Sequence, residues 1–315
     1  MATNITSTQL DFDSIKNKLK TFFAQQSEFA DYDFEAAGLS NLLDVMAYNT
    51  HFNGLIANFA LNESFLTTAQ LRSSVLSHAE SLGYTPRSRT SATAFLNLQI
   101  TNTNGGRSGT ATLPTGTQFT STVDGVSYTF QTLVPHTATD DGNGVYKFQT
   151  DAGSLNIPVV EGVSTTKTFY VAESSERQIH IIPDVNADTS TLDVKVFSSA
   201  NSSLFTQYTD IDLATSVTSS STYWDIHEAP NGFFELHFGD GITTGLAPTA
   251  GNKVVVTYLS SNGAAANTAT TFSPQNTISM DGSAFTLNAA TAVAATGGAA
   301  KESIESIRQN APIAY

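Results

Sequence analysis

Histidine is the residue type here with the widest chemical reach, and it stands at positions 51, 78, 136, 180, 227 and 237. No two of these have the four-residue helical spacing of a metalloprotease. His237 lies close to Asp240, and His227 could join them in a three-ligand site. Alternating strand positions and a turn aspartate account for the same residues without a metal. Gly239-Asp240-Gly241 has the glycine content of a phosphate-binding nest, yet no lysine or helix N-terminus follows it. The carboxylate pairs Asp210 and Asp212, and Glu173 and Glu176, are of a kind common in loops, and no nucleophile elbow accompanies the many serines. Cysteine is absent, which excludes a disulfide framework and a thiol nucleophile. The expectation is a protein without catalytic residues, metal or cofactor. A wall-degrading hydrolase working through paired carboxylates ranks last among the readings.

The elements that would carry these residues differ along the chain. Phe12, Ile15, Leu19, Phe22 and Phe23 recur at helical spacing behind Asp11 or Asp13 as a cap, predicting a helix to about Gln26. A longer helix is expected from Leu39 to about Phe65. Its stripe Leu42, Met46, Ile56 and Ala60 continues through Asn49 and Asn53 at heptad-like spacing. Asparagines in such a seam fix register and partner number; alternatively they face solvent. Gly54 in mid-helix suggests close approach by another helix. Thr67-Thr68-Ala69-Gln70 reads as a capping box for a third helix with Leu71, Val75, His78 and Leu82 on one face and Gly83 as its stop. His78 fits a core position better than a ligand.

From Ala92 the pattern turns to alternation with frequent turns, including a hairpin across Asp124-Gly125. Within Tyr223 to Asn267 the runs Phe233–Phe238 and Lys253–Tyr258 read as a hairpin pair. Thr215 to Thr222 reads as a loop, Asn288 to Gly298 as a linker or irregular strand, and Lys301 to Gln309 as a short helix closed off by Pro312. The fold class is α+β: an N-terminal α-helical arm of about three helices followed by mainly antiparallel β-sandwich-like domains. The expected division is 1–90 helical arm, 91–200 and 201–288 β domains, and 289–315 linker and C-terminal helix.

The 315 residues carry 14 basic against 28 acidic side chains, a net charge of −14, which opposes binding to nucleic acid or an anionic membrane surface. No secretion signal and no run of membrane-spanning length is evident, so a soluble, cytoplasmically made protein is expected. Only 13% of residues are charged, and a neutral polar surface suits a protein packed against others.

An ordered series of short motifs is similar to one known family. It runs Tyr32-Asp33-Phe34-Glu35, Gly38-Leu39-Ser40, Leu42-Leu43-Asp44, Ala47-Tyr48-Asn49-Thr50-His51, Ser77-His78-Ala79 and Leu82-Gly83-Tyr84-Thr85-Pro86-Arg87-Ser88. It continues with Leu113-Pro114-Thr115-Gly116-Thr117-Gln118-Phe119, Ile182-Pro183-Asp184, Phe238-Gly239-Asp240-Gly241, Gly251-Asn252, Thr257-Tyr258, Asn262-Gly263, Asn267, Gly297-Gly298, Glu302-Ser303-Ile304 and Ile307-Arg308. In this series the chain resembles the baseplate wedge protein of T-even-type contractile phages and, in its β part, the wider baseplate J-like family.

The resemblance implies a non-enzymatic structural subunit of the virion tail baseplate, without cofactor. In such relatives two copies join one copy of another wedge protein, the N-terminal helices form a bundle, and wedges close into a ring. Other baseplate wedge proteins and a second copy of the chain are therefore the expected partners, with no nucleic acid and no membrane. Carried onto this sequence, the bundle interface falls on Leu42, Met46, Asn49, Asn53, Ile56, Leu71 and Val75. Such relatives usually continue past the Ala311-Pro312 segment into a region that contributes to pairing, whereas this sequence ends at Tyr315. The rival reading is a tail fibre or adhesin-like β module that binds glycans through aromatics such as Tyr223 and Trp224.

Overall fold

A computed structural model describes residues 11–29, 33–34, 38–172 and 178–314. Glu173, Glu176, Tyr32 and Glu35 lie outside the described residues. The chain divides into two compact units, one of residues 1–84 with 303–315 and one of residues 85–302.

In the first unit, α1 (Phe12–Ala24) starts where the Asp11 carboxylate accepts the Ser14 N–H at 2.7 Å. It packs along α2 (Leu39–Glu63), to which the Lys16–Asp44 ion pair ties it. Phe23, Phe29 and Phe34 form an aromatic knot beside α1, with ring centroids 5.5–6.3 Å apart. Helix α3 (Arg72–Ser81) begins later than a capping box at Thr67 requires, and its N-terminus carries no side-chain cap from its own sequence. Instead the Glu63 carboxylate accepts the Gln70 N–H at 2.7 Å and that of Leu71, while the Thr68 hydroxyl donates to the Asn62 carbonyl at 2.7 Å. A carboxylate arriving from the previous helix satisfies donors that a local threonine was expected to take.

Helix α4 spans Ile304–Ala314. Ser303 precedes it, its hydroxyl accepting the Ser306 N–H, so the helix starts after Ser303 and not at Lys301. It also runs through Pro312 where a stop was expected. A proline in the last turn removes a single backbone bond, and burial of Ile307 and Ala311 against Ala69, Val75 and Ala79 holds the helix in place.

The second unit holds two seven-stranded sheets. In the first, the hydrogen-bonded order is Ser273–Pro274, Gln118–Val123, Val126–Gln131, Asn156–Glu161, Thr93–Thr101 and Asn288–Thr296, with Val145–Lys147 also on Thr93–Thr101. The hairpin across Asp124-Gly125 forms with both residues at positive φ, 50° and 81°, as a two-residue primed turn requires. In the second sheet the order is Val163–Tyr170, Lys253–Ser260, Ala187–Phe197, Phe205–Asp210, Tyr223–Glu228, Phe234–Phe238 and Ile179–Ile182. Its pairs are antiparallel except Phe205–Asp210 with Tyr223–Glu228.

Phe234–Phe238 and Lys253–Ser260 are not hairpin partners. The first pairs with Tyr223–Glu228 through the tight turn in which Ala229 and Phe233 exchange a backbone bond, and the second pairs with Ala187–Phe197 and Val163–Tyr170. The loop between them folds on itself instead: a Cβ on Gly239 would sit 2.4 Å from the Gly245 carbonyl oxygen.

Each sheet wraps its own core. Leu96, Leu98, Ile100, Phe119, Phe130, Tyr146 and Ile157 lead the first, and Val194, Leu236, Val254, Val256 and Tyr258 the second. The chain enters the second sheet after Glu161 and returns to the first after Ser261, so Asn288–Thr296 is a strand, with irregular register, on Thr93–Thr101. Buried Glu161 clasps that crossing by accepting the Ser261 hydroxyl at 2.8 Å and the Asn262 amide at 2.8 Å.

Candidate protein interface

Helix α2 presents a long apolar surface that the described residues leave open. At 100° per residue, Leu42, Met46, Asn49, Asn53 and Ile56 fall within about 80° of arc. Leu42 is 53% exposed, Met46 40% and Ile56 61%. Val45, Tyr48, Phe52, Leu55 and Phe59 occupy the adjoining arc and are also exposed, so the open apolar face covers about half the circumference. The opposite arc carries the buried Leu43, Ala47, Asn58 and Asn62, with Gly54 half-buried on that side.

Charge is missing from the open face. The acidic residues of α2 are Asp44 and Glu63; the first pairs with Lys16 and the second caps the start of α3. Asn53 donates its side-chain amide N–H to the Asn49 side-chain oxygen Oδ1 at 3.0 Å, and both residues are exposed. Each side chain keeps further donor and acceptor capacity beyond that one bond. The buried asparagines of this helix are Asn58 and Asn62, which continue the Leu43–Ala47 arc; Asn62 donates to the Asn58 carbonyl at 2.7 Å.

Of the remaining interface candidates, Leu71 is 49% exposed at the N-cap of α3, and Val75 of α3 is fully buried in the cluster with Ile307 and Ala311 of α4. Val75 thus supports the arm from behind. His78 lies 2.9 Å from the Glu63 carbonyl oxygen, a contact that joins α3 to the end of α2.

The histidine grouping differs from the one its sequence suggested. His227 and His237 do meet, with ring centroids 4.9 Å apart, but the carboxylate on His227 is Asp225 at 3.1 Å. Asp225 sits two residues from His227 on the same strand face, a period-two signal that could have found it. Asp240 is occupied in its own turn, accepting the N–H groups of Ile242, Thr243 and Thr244 and the Thr243 hydroxyl at 2.6–2.9 Å. These bonds, led by the Thr243 hydroxyl, hold its carboxyl far below the usual range. Asp210 accepts the Asp212 N–H at 3.0 Å as the cap of a short 3-10 turn. Trp224 is buried in the second core, and Tyr223 is half-buried.

Comparison with known proteins identifies the surroundings of this surface. Residues 11–84 match the family described as baseplate wedge protein gp6-like, helical domain. Over 285 residues the chain is 30% identical to baseplate wedge protein gp6 of Enterobacteria phage T4, an alignment covering 85% of this chain. In sequence the chain is similar to the T-even-type baseplate wedge proteins. It spans 40% of the length of the T4 protein it matches. The gp6-like helical match ends at residue 84, where the first stretch of the helical unit also ends. All of α2, with its open face, therefore lies inside the wedge-protein helical domain.

Proposed function

We propose that the chain is a structural, non-enzymatic subunit of a contractile-tail baseplate wedge, assembled in the host cytoplasm and resident in the virion tail, with α2 as its main assembly surface. The observation that carries this reading is the open, uncharged face of α2. Eight large apolar side chains there are each 40–64% exposed: Leu42, Val45, Met46, Tyr48, Phe52, Leu55, Ile56 and Phe59. Covering what remains of each contributes about 1 kcal/mol, before the costs of association are subtracted. An apolar helix face of this extent without charge on it fits a helical bundle with other wedge proteins and a second copy of the chain. Within that bundle Leu42, Met46, Asn49, Asn53, Ile56 and Leu71 make the contact, and the Asn49–Asn53 pair sets register.

In this reading the arm, 1–90, carries assembly. The β segments 91–200 and 201–288 supply rigid lateral contacts, and 289–315 leads through a strand into α4. The net charge of −14 supports partners other than nucleic acid or an anionic membrane. The test is sedimentation velocity of the chain alone and co-expressed with wedge proteins, for wild type and for the Leu42→Ser, Ile56→Ser double variant. Wild type is expected to associate, and the double variant to associate at least roughly tenfold more weakly with unchanged circular dichroism. A wild-type chain that stays monomeric in both settings overturns the proposal.

A further inference from the structure

The strand Val163–Tyr170 ends the second sheet on one side, and its outer edge is open. We propose that this edge takes up an extended segment of a partner protein as an added strand, one that brings an aspartate or glutamate beside Lys167.

Alternation fixes which backbone groups are open. Val163–Tyr170 pairs residue for residue with Lys253–Ser260, without a bulge. Just past its end the Val171 N–H donates to the Asn252 carbonyl at 3.0 Å, and the Val171 carbonyl accepts the Gly251 N–H at 2.8 Å, so Val171 faces the neighbouring strand. Just before its start the Gly162 N–H turns the opposite way, to the Thr129 carbonyl at 2.9 Å. Backbone direction alternates along a strand, so the N–H and C=O groups of Ser164, Thr166, Thr168 and Tyr170 point out of the sheet. Among the described residues no backbone hydrogen bond meets them.

The other edges of the two sheets are blunted. Ser273–Pro274 has two residues, one of them proline, and Ile179–Ile182 has four. Asn288–Thr296 is partly covered by residues 268–270: the Thr268 N–H donates to the Ala295 carbonyl at 2.7 Å, the Ala295 N–H to the Ala269 carbonyl at 2.9 Å and the Thr291 hydroxyl to the Thr270 carbonyl at 2.6 Å. Val163–Tyr170, by contrast, has eight residues without proline, rich in valine, threonine and aromatics that suit strand pairing. Its one guard against indiscriminate pairing is Lys167.

That lysine selects the partner. It is the one charged residue between Gly162 and Ala172, and it stands opposite buried Val256, on the core side of the strand. The neighbouring strand adds Lys253, which is engaged over the Phe197 ring at 4.3 Å, whereas Lys167 has no ion pair among the described residues. An added strand must therefore face an unpaired ammonium, which opposes a purely apolar segment and favours a carboxylate at the facing position. A second copy fits poorly: the antiparallel register that uses all four open residues sets Ser164 against Tyr170 and Thr166 against Thr168, and so brings the two Lys167 side chains face to face.

The test is fluorescence anisotropy of the full chain with a short labelled peptide of alternating threonine and valine carrying a central glutamate, and with its counterpart carrying lysine. The glutamate peptide should bind saturably and roughly threefold tighter than the lysine peptide, with the preference reversed in Lys167→Glu. Amide hydrogen exchange within Val163–Tyr170 should slow when it binds. In Ser164→Pro with Thr168→Pro two outward N–H groups are lost, and binding should weaken at least roughly tenfold with circular dichroism unchanged, since an edge strand tolerates proline where its N–H faces outward. Absence of binding overturns the proposal, as does protection that falls outside Val163–Tyr170, a double variant that binds as wild type does, or equal binding of the two peptides. A self-association of the chain that disappears in the double proline variant also overturns it, by giving the edge to a second copy. Because α2 is untouched in these variants, this result and that of the arm stand apart.

Discussion

Helix α2 and the Thr93–Thr101 strand each carry a row of large apolar residues, and they dispose of them in opposite ways. In the strand, Leu96, Leu98 and Ile100 are exposed by 2% or less, and every second residue points into a core the chain supplies itself. In the helix, Leu42, Met46, Ile56 and five neighbours remain open, and the buried arc includes two asparagines. The difference separates two uses of hydrophobicity. The β unit folds with it, whereas in the proposed assembly the arm keeps it for another molecule.

Removing a β-core side chain should therefore act on folding alone. Phe130 is fully buried and meets Phe272 edge-on at 5.0 Å. Phe130→Ala is expected to cost about 3–5 kcal/mol of unfolding free energy, read by chemical denaturation of the β-unit tryptophan signal or of circular dichroism. A loss below about 1 kcal/mol would mean that the first sheet does not rely on this core, and the contrast with α2 would fail.

The converse substitution sharpens how wide the arm surface is. Phe52 lies outside the Leu42–Ile56 arc but on the same open half of α2, 41% exposed. Phe52→Ser is expected to leave unfolding free energy within about 0.5 kcal/mol of wild type. Association is expected to fall at least roughly fivefold if the proposed complex covers the whole half-cylinder. Unchanged association in sedimentation would confine the contact to the narrower seam.

Sequence periodicity revealed the arm, the β character of the rest and the Asp124-Gly125 turn, because each depends on residues close in the chain. It also revealed the stripe that α2 leaves exposed, but not which asparagines the chain buries. Asn49 and Asn53 share the heptad spacing of Leu42 and Ile56, while Asn58 and Asn62 follow Leu43 and Ala47, and no local property ranks one arc over the other. Strand partners were hidden for the same reason. Phe234–Phe238 and Lys253–Ser260 are neighbours in sequence, yet their partners come from residues as far away as Ile179 and Val163. The Glu63 cap of α3 was likewise invisible, since the sequence there offers a plausible local alternative in Thr67 and Thr68.

Titration offers a gentler probe of the β unit. His180 stacks near Phe169 and Phe238, and burial, with the nearby His237 charge, lowers its pKa from 6.5; burial also lowers that of His136. Between the lowered folded values and 6.5 the unfolded chain binds more protons, so this part of the stability is complete above pH 6.5 and is lost as pH falls through the folded values. Denaturation midpoints should drop between pH 7 and pH 5, and His180→Phe should flatten that slope. An identical slope in the variant would remove His180 as its source.

Asp240→Asn should change least of all. The turn uses one carboxylate oxygen to accept three N–H groups, and an amide oxygen can accept the same three. The second oxygen accepts the Thr243 hydroxyl, which can rotate and accept from the new amide instead. What disappears is the charge those donors stabilise. In wild type the folded carboxyl titrates far below 3.8, so its contribution is present above that value and fades as pH falls below it. The variant is expected to melt within a few degrees of wild type at neutral pH, with association through α2 unchanged and a shallower loss of stability in acid. A metal that binds wild type and is lost from Asp240→Asn, seen by elemental analysis of the dialysed protein, would contradict the view of this loop as a self-contained turn.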